Sequence, residues 1–496
     1  MKTRLHIRGI TRVGLLRFSL SVAALALGVA LAPWTLARPQ TSQKAGAKPT
    51  SKESISLESV LAESTKRAQD IADPPQKSAA LAKIIEVQIK LGRLADAHQT
   101  ISLIPSSDAR ARAFSQVAFA EAEAGKLDAA FATADLATRG EATGLKVALS
   151  EQQQRDYKNM VLRGIASARA AAGDVEGVRR AESSAILSGD IANKFLHEIA
   201  RAQVKSGDIA GAEKSFAEYV RSMPDSGAST DAADQAIVSV AAAQLEFGDI
   251  AGTLSSAARI RNGAAQAIIL AGAAKAQAEH GDRTGAAATI AKAIASAKAY
   301  HDLYGYDKSR AFLEIAKAQS AAGDFHGAQD TAAQISDGFT KNQAYTAIAI
   351  AQGHAGDFAG ALQAAGAIVN DAAATNREDA IKEIAVAQAD AGNIAGARGT
   401  VAQLPAGYDT NTVIAAIAVA QARAGDYKSA LATSDQLPES DRRAWALRIF
   451  AVRGIARIQT EAGDGAGGKE WIATLNAPAL ESSALLGMAE GLTPGK

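Results

Sequence analysis

The octapeptide GDGAGGKE, Gly463 to Glu470, has the G-x-x-x-x-G-K skeleton of a phosphate-cradling loop, in which backbone amides and a lysine hold a nucleotide's phosphates. Three features argue against that chemistry. Glu470 stands where a magnesium-binding hydroxyl is needed, and its charge repels phosphate. The residues before the motif have helical rather than strand periodicity, and Gly463 belongs to a turn that recurs throughout the chain. The histidines beyond the N-terminal region, His98, His197, His280, His301, His326 and His354, are scattered and never paired at i, i+4, so no metal site is expected. No Ser/His/Asp order, HExxH or clustered carboxylate pair stands out. No catalytic residue and no cofactor are expected, and the chain does not read as an enzyme.

What recurs is a turn. AQARAGDYKSAL at Ala420, AQGHAGDFAGAL at Ala351 and AQADAGNIAGAR at Ala387 are near-copies of one another. Alignment on the glycine gives eleven copies, at Gly92, Gly125, Gly173, Gly207, Gly248, Gly281, Gly323, Gly356, Gly392, Gly425 and Gly463. A period in the thirties is the mark of a solenoid rather than of one compact core. Apolar residues stand eleven, eight and seven places before each glycine, and together with the places four and one before it they keep the rhythm of one helix face. The residue eight back is bulky, as at Ile84, Ile315 and Ile417, and the residue seven back is alanine in every copy but one, Ile85, so a second helix can approach closely.

Glycine suits the left-handed position that ends a helix, and the Asp or Asn that follows it in nine of eleven copies, as at Asp208, Asp357, Asn393 and Asp426, suits the cap of the next. These carboxylates read as helix caps, not as metal ligands or acids. Pro105, Pro405 and Pro438 each fall thirteen residues past their glycine, so the second helix is short. Four places before the glycine, nine of eleven copies carry glutamine, from Gln88 to Gln459. A buried amide needs hydrogen-bond partners, and the expectation is a ladder tying each hairpin to the next; a polar row facing a ligand is the other reading.

The motif resembles the tetratricopeptide repeat, a helix-turn-helix unit. Ile414, Ile417, Ala418 and Gln421 stand at that family's bulky, bulky, small and aromatic places on the first helix, and Gly425-Asp426-Tyr427 with Ala430 matches its turn and second-helix alanine. Glutamine at the aromatic place, a mostly missing or shifted closing proline and irregular spacing depart from the family pattern; a related helical-hairpin repeat is the alternative. The resemblance spans roughly 79–475 and implies an all-α, right-handed α-solenoid of about eleven helix-turn-helix repeats, with a curved surface that binds partners. The glycine spacings, 33, 48, 34, 41, 33, 42, 33, 36, 33 and 38, alternate short and long, so the recurring unit is a pair of hairpins with extra residues in every second connection.

Domain boundaries follow from composition. Lys2, Arg4, Arg8, Arg12 and Arg17 precede an apolar run from Phe18 to Trp34 and then Thr35-Leu36-Ala37, the order of a secretory signal with cleavage expected after Ala37. The alternative is an uncleaved anchor over residues 18–34 holding the chain to the inner membrane. Residues 38–52 have linker composition, residues 53–476 hold the repeats, and residues 477–496 are expected as a C-terminal capping helix and tail. The absence of cysteine excludes disulfides, thiolate zinc sites and a lipidated N-terminus. Cleavage removes five basic residues and no acidic ones from 53 Lys+Arg and 52 Asp+Glu, leaving 48 against 52, an acidic balance that argues against a nucleic-acid partner.

Partner-binding candidates come from two patterns. If the family geometry carries over, positions six and ten before each glycine line the concave side, and they hold Arg163, Arg201, Lys275, Lys317, Lys382, Arg453 and Arg457 against one acidic residue, Glu86. The long connection AYHDLYGYD contributes Tyr300, Tyr304 and Tyr306, rigid rings of the kind that anchor interfaces. The expected function is an exported, non-catalytic scaffold of a bacterial periplasm or exterior with a protein or peptide partner. The alternative is a binder of an envelope polysaccharide or anionic polymer in an export or synthesis complex.

Overall fold

Alanine loses no side-chain freedom in a helix, and within each copy the glycine turn interrupts the alanine-rich stretch, so each copy folds as two helices joined by two or three residues. The computed structural model describes residues 55–137, 141–142, 145–146, 150–185, 189–222, 232–301, 305–369 and 376–493. The expected signal, its cleavage site, all of the linker and Tyr304 lie outside them.

Helix α1 spans Leu57–Gln69, and eleven hairpins follow it. The first four pair α2 (Pro74–Lys90) with α3 (Leu94–Ser102), α4 (Ser107–Glu123) with α5 (Leu127–Leu136), α6 (Glu151–Ala171) with α7 (Val175–Ser184), and α8 (Gly189–Ser206) with α9 (Ile209–Ser222). The next four pair α10 (Ala232–Glu246) with α11 (Ile250–Ala257), α12 (Gly263–Glu279) with α13 (Arg283–Ala299), α14 (Tyr306–Ala321) with α15 (Phe325–Ala333), and α16 (Gly338–His354) with α17 (Phe358–Gly366). The last three pair α18 (Asn376–Asp390) with α19 (Ile394–Val401), α20 (Asn411–Arg423) with α21 (Tyr427–Ser434), and α22 (Arg442–Glu461) with α23 (Gly465–Ile472). Helix α24 (Pro478–Gly491) ends the chain. Among the described residues the one departure from helix and turn is a pairing of Glu141–Ala142 with Leu145–Lys146 in the connection after α5. The protein is an all-α solenoid.

All eleven turn glycines have positive φ, between 71° and 88°. In the nine copies with Asp or Asn, that side chain accepts from the backbone N–H three residues on, as Asp324 does from Gly327 and Asp426 from Ser429. Turn and cap were both legible in the repeat. The alanine seven before the glycine and the one five after it are buried between the two helices, as Ala316 and Ala328 are.

The ends of the array meet, which an open solenoid does not allow. Helix α24 packs against α22 on one side and against α1 and α2 on the other. In its contacts α24 has the place of a first helix and α1 that of its second helix, so the first and last described helices form a twelfth, split hairpin. Val60 and Leu61 of α1, Leu81 and Ile84 of α2, Trp445 of α22 and Leu480 and Leu486 of α24 share one core. Ser64 donates to the Ser482 carbonyl at 2.8 Å and Ser482 to the Ser64 carbonyl at 3.0 Å, while Arg67 pairs with Glu481 at 3.0 Å. The C-terminal helix, expected as a cap on one end, closes the array instead.

First helices pack on the first helices of neighbouring hairpins, whereas each second helix packs on its own first helix and on the next one. In a closed array the layer that packs on itself is the inner one, so the first helices form the inner wall. The array also has two edges. Every glycine turn lies on one, and every connection from a second helix to the next first helix lies on the other.

Candidate functional site

Seven cations were expected on the concave side. Arg163 and Lys275 are exposed on the first helices α6 and α12, and Lys317 and Arg457 are half-buried on α14 and α22. Three of these pair with a carboxylate of their own helix: Lys275 with Glu279 at 3.7 Å, Lys317 with Glu314 at 2.9 Å and Arg457 with Glu461 at 3.6 Å. Such exposed pairs hold weakly and exchange readily for a partner's carboxylate. The count of seven cations against Glu86 left these acids out because they occupy places two and nine before the glycine.

The other three cations are tied into the scaffold. Arg201, on α8, is buried; it pairs with Glu198 of its own helix and with Glu246 of α10, and donates to Ser167 Oγ of α6 at 3.4 Å. It therefore bridges three successive first helices. Arg453 of α22 makes a two-pronged contact with Glu490 of α24, at 2.9 and 2.6 Å. Lys382 of α18 pairs with Asp379 at 3.0 Å and lies 5.9 Å from the ring of Tyr408, whose hydroxyl donates to Asp379 at 2.8 Å. Burial, and then the Asp379 carboxylate, hold the Tyr408 phenol well above its usual range.

Around Arg201 the environment changes proton affinities. His197 stands edge-on to Phe216, with ring centroids 5.4 Å apart, and next to Tyr219. Burial first, and the Arg201 charge second, hold its imidazole down to about 4. Burial pushes the Glu198 carboxyl up despite Arg201 beside it.

The tyrosines divide. Tyr300 is half-buried; it ends α13 and packs on the large central core, with its hydroxyl 3.5 Å from Asp307. Tyr306 opens α14 and is 67 % exposed. The structure assigns the first to packing and leaves the second free for contact.

Seven of the nine glutamines are buried, as their place in the pattern implies, and Gln203 and Gln421 are half-buried, but the row does not join one hairpin to the next. Gln277, Gln319, Gln352 and Gln459 each donate Nε2 to the capping aspartate of their own turn, at 3.3, 3.3, 2.9 and 2.7 Å. The bond stays inside the hairpin because Gln and Asp are five residues apart across one turn. It also accounts for a glycine that the sequence reading passed over, four places after the turn glycine. A Cβ at Gly327 would stand 2.1 Å from Asp324 Oδ2 and 2.6 Å from Gln319 Nε2. Two copies depart. At Gln's place Arg169 pairs with Asp174 and donates to the Ala122 carbonyl at 2.9 Å, which does tie two hairpins. In the other, Glu121 accepts from Thr133 at 2.7 Å and lies 3.0 Å from His98 Nε2.

The phosphate-loop skeleton is a repeat turn. Gly463 has positive φ, Asp464 accepts from Gly467 N–H at 3.0 Å, and α23 begins at Gly465. Among the described residues no group of His, Asp and Glu is placed to hold a metal ion, and no helix is long and apolar enough to cross a membrane.

No protein-family model matches this chain, and no match is found among curated proteins. Solved structures similar to it include Ton1535 from Thermococcus onnurineus NA1, 18 % identical over 66 % of this chain and 98 % of that one, with a TM-score of 0.26. The pentatricopeptide repeat protein PPR10 from maize is 14 % identical over 89 % of this chain and 73 % of that one, with a TM-score of 0.28. A circular tandem repeat protein with novel repeat topology is 12 % identical over 87 % of this chain and 92 % of that one, with a TM-score of 0.14. At these values the likenesses carry nothing further, and the fold rests on the helix contacts described above.

Proposed function

We propose that this chain is an exported, non-catalytic binding scaffold of the bacterial cell envelope, related to tetratricopeptide repeats and directed there by residues 1–37. The observation that carries this reading is the solvent-accessible row of Arg163, Lys275, Lys317 and Arg457 on the first-helix layer, the first two exposed and the others half-buried, the last three held by weak pairs within their own helices. A row of exchangeable cations on a closed wall suits a protein or peptide carrying carboxylates. An anionic envelope polymer is the second reading, favoured by the repetition of single cations at similar register rather than in one cluster.

Affinity capture with the mature chain from an envelope fraction tests the proposal. A discrete protein, retained by the wild type and lost with Arg163→Ala, Lys275→Ala and Lys317→Ala together, supports the first reading. Glycan lost in the same way supports the second, and capture indifferent to all three substitutions removes both. N-terminal sequencing of the exported form should begin at Arg38; a start at Met1 in a membrane fraction would replace the cleaved signal by an anchor.

A further inference from the structure

Five large apolar side chains are well exposed among the described residues, and three of them, Tyr306, Phe339 and Val369, fall on one short stretch of the connection edge, at 67 %, 60 % and 71 %. Tyr306 and Phe339 stand at the same place in consecutive copies, each seventeen residues before its turn glycine, at the starts of α14 and α16. Hydrogen bonds hold the stretch together. Ser309, in the first turn of α14, lies 3.4 Å from Ser336, three residues before Phe339. Asn342, one turn past Phe339, donates to the Val369 carbonyl at 2.8 Å and accepts from its N–H at 3.2 Å. Water-exposed apolar groups in a row, on backbone fixed by side-chain bonds, are an ordered surface rather than a frayed end.

Cations outnumber carboxylates among the described residues flanking the row, with Lys298, Lys308, Arg310 and Lys341 against Asp307, beside Tyr306, and Asp337. Lys298 at the end of α13, Arg310 one turn past Tyr306, and Lys341 two residues past Phe339 make no ion pair among the described residues. Asp337, the carboxylate nearest Phe339, is engaged in capping α16 through the Thr340 N–H at 2.8 Å.

Helix α1 occupies a second-helix place, and Ile55, just before it, lies against Gly465 at the start of α23, so the described residues begin at the turn edge, opposite the apolar row.

We propose that Tyr306, Phe339 and Val369, with Lys298, Arg310 and Lys341, form a docking site for a protein segment that presents apolar side chains flanked by carboxylates. This rests on the binding-scaffold reading above but uses a different surface from the inner wall. Apolar rings supply affinity at the centre of such a site, and the cations supply steering and register.

A displayed library of random 15-residue peptides, selected on the full mature chain, tests it. Enriched peptides should carry Leu, Phe or Val between Asp and Glu, bind at least tenfold more weakly in high salt, and lose at least tenfold in affinity to Tyr306→Ser/Phe339→Ser with an unchanged melting temperature. Acidic peptides that bind this variant normally but fail with Lys275→Ala/Lys317→Ala overturn the docking site while leaving the scaffold reading intact. No enrichment on the wild type sinks both. Anionic phosphatidylglycerol vesicles that sediment the wild type but not the double variant would make the row a membrane contact, and concentration-dependent self-association lost in the variant would make it a contact between copies; either overturns the proposal.

Discussion

At the scale of single residues, the glutamines differ in how fully they are satisfied, and this orders their mutational costs. Gln459 gives its amide hydrogen to Asp464 and accepts from Trp471 Nε1 at 2.8 Å, whereas the Gln319 Oε1 oxygen is buried with no partner. Gln459→Leu leaves the indole N–H without its acceptor and should cost about 1–3 kcal/mol in chemical denaturation; Gln319→Leu also removes an unsatisfied oxygen and should cost clearly less. Glycine-to-alanine changes sort the same way. In an open helical position such as Gly399, with nothing within 4 Å of a new Cβ, alanine should stabilise by up to about 1 kcal/mol. At Gly327 the methyl strikes the Gln–Asp pair, so the sign should reverse to a loss of about 1 kcal/mol or more. His197 adds a pH dependence. Its folded value of about 4 lies below the ordinary histidine value of 6.5, so the unfolded chain takes up the proton first. The stability it contributes is complete above about pH 6.5 and is lost as pH falls towards 4. The raised carboxyl of Glu198 works in the opposite sense, gaining its proton earlier in the folded state. Melting curves of His197→Phe should therefore fall less steeply between pH 7 and 4 than those of the wild type.

At the scale of elements, adjacent hairpins adhere chiefly through apolar packing of first helices, and the clearest polar tie is Arg201 across α6, α8 and α10. Truncation leaves Glu198 in surroundings that already disfavour its charge. Arg201→Ala should cost about 3 kcal/mol, the low end for a broken buried pair, because Glu246 on the other side is partly solvated. Lys317→Ala, which loses only a surface pair with Glu314, should stay within about 0.5 kcal/mol. Urea denaturation of the two variants checks the contrast, and equal losses would mean that Arg201 is no bridge. The sequence placed both cations at the same register; only the neighbouring helices distinguish them.

At the scale of the repeat array, the closure at α1, α2 and α24 is the feature on which stability turns. Helix α24 meets α22 so closely at Gly487 that a Cβ there would stand 2.1 Å from the Arg453 carbonyl oxygen, a backbone atom that cannot swing aside. Gly487→Ala should push α24 off its seat, open the seam with α1, lower the melting temperature and raise the radius of gyration in solution scattering. Unchanged scattering would show that the ends do not depend on that contact. In an open solenoid, deleting a terminal helix costs one interface; here loss of either end removes two.

The repeat itself, its glycine turns, the aspartate caps and the alternation of bulky and small residues were all readable from order and spacing, because each rests on interactions within about fifteen residues. Helix periodicity and the left-handed glycine need no distant partner. The glutamine's partner lay five residues away and was equally local, yet the buried row suggested a ladder between hairpins; the glycine that makes room for the Gln–Asp pair was the signal that could have corrected it. Glu246, which pairs with Arg201, and Glu490, which pairs with Arg453, belong to neighbouring helices, and no spacing rule names them. The twelfth hairpin has no turn at all, since its helices are the first and last among the described residues, so a search for the glycine turn stops at eleven. Closure depends on the small rotation between successive hairpins accumulating until α24 reaches α1, a sum over the entire array that only the tertiary structure decides.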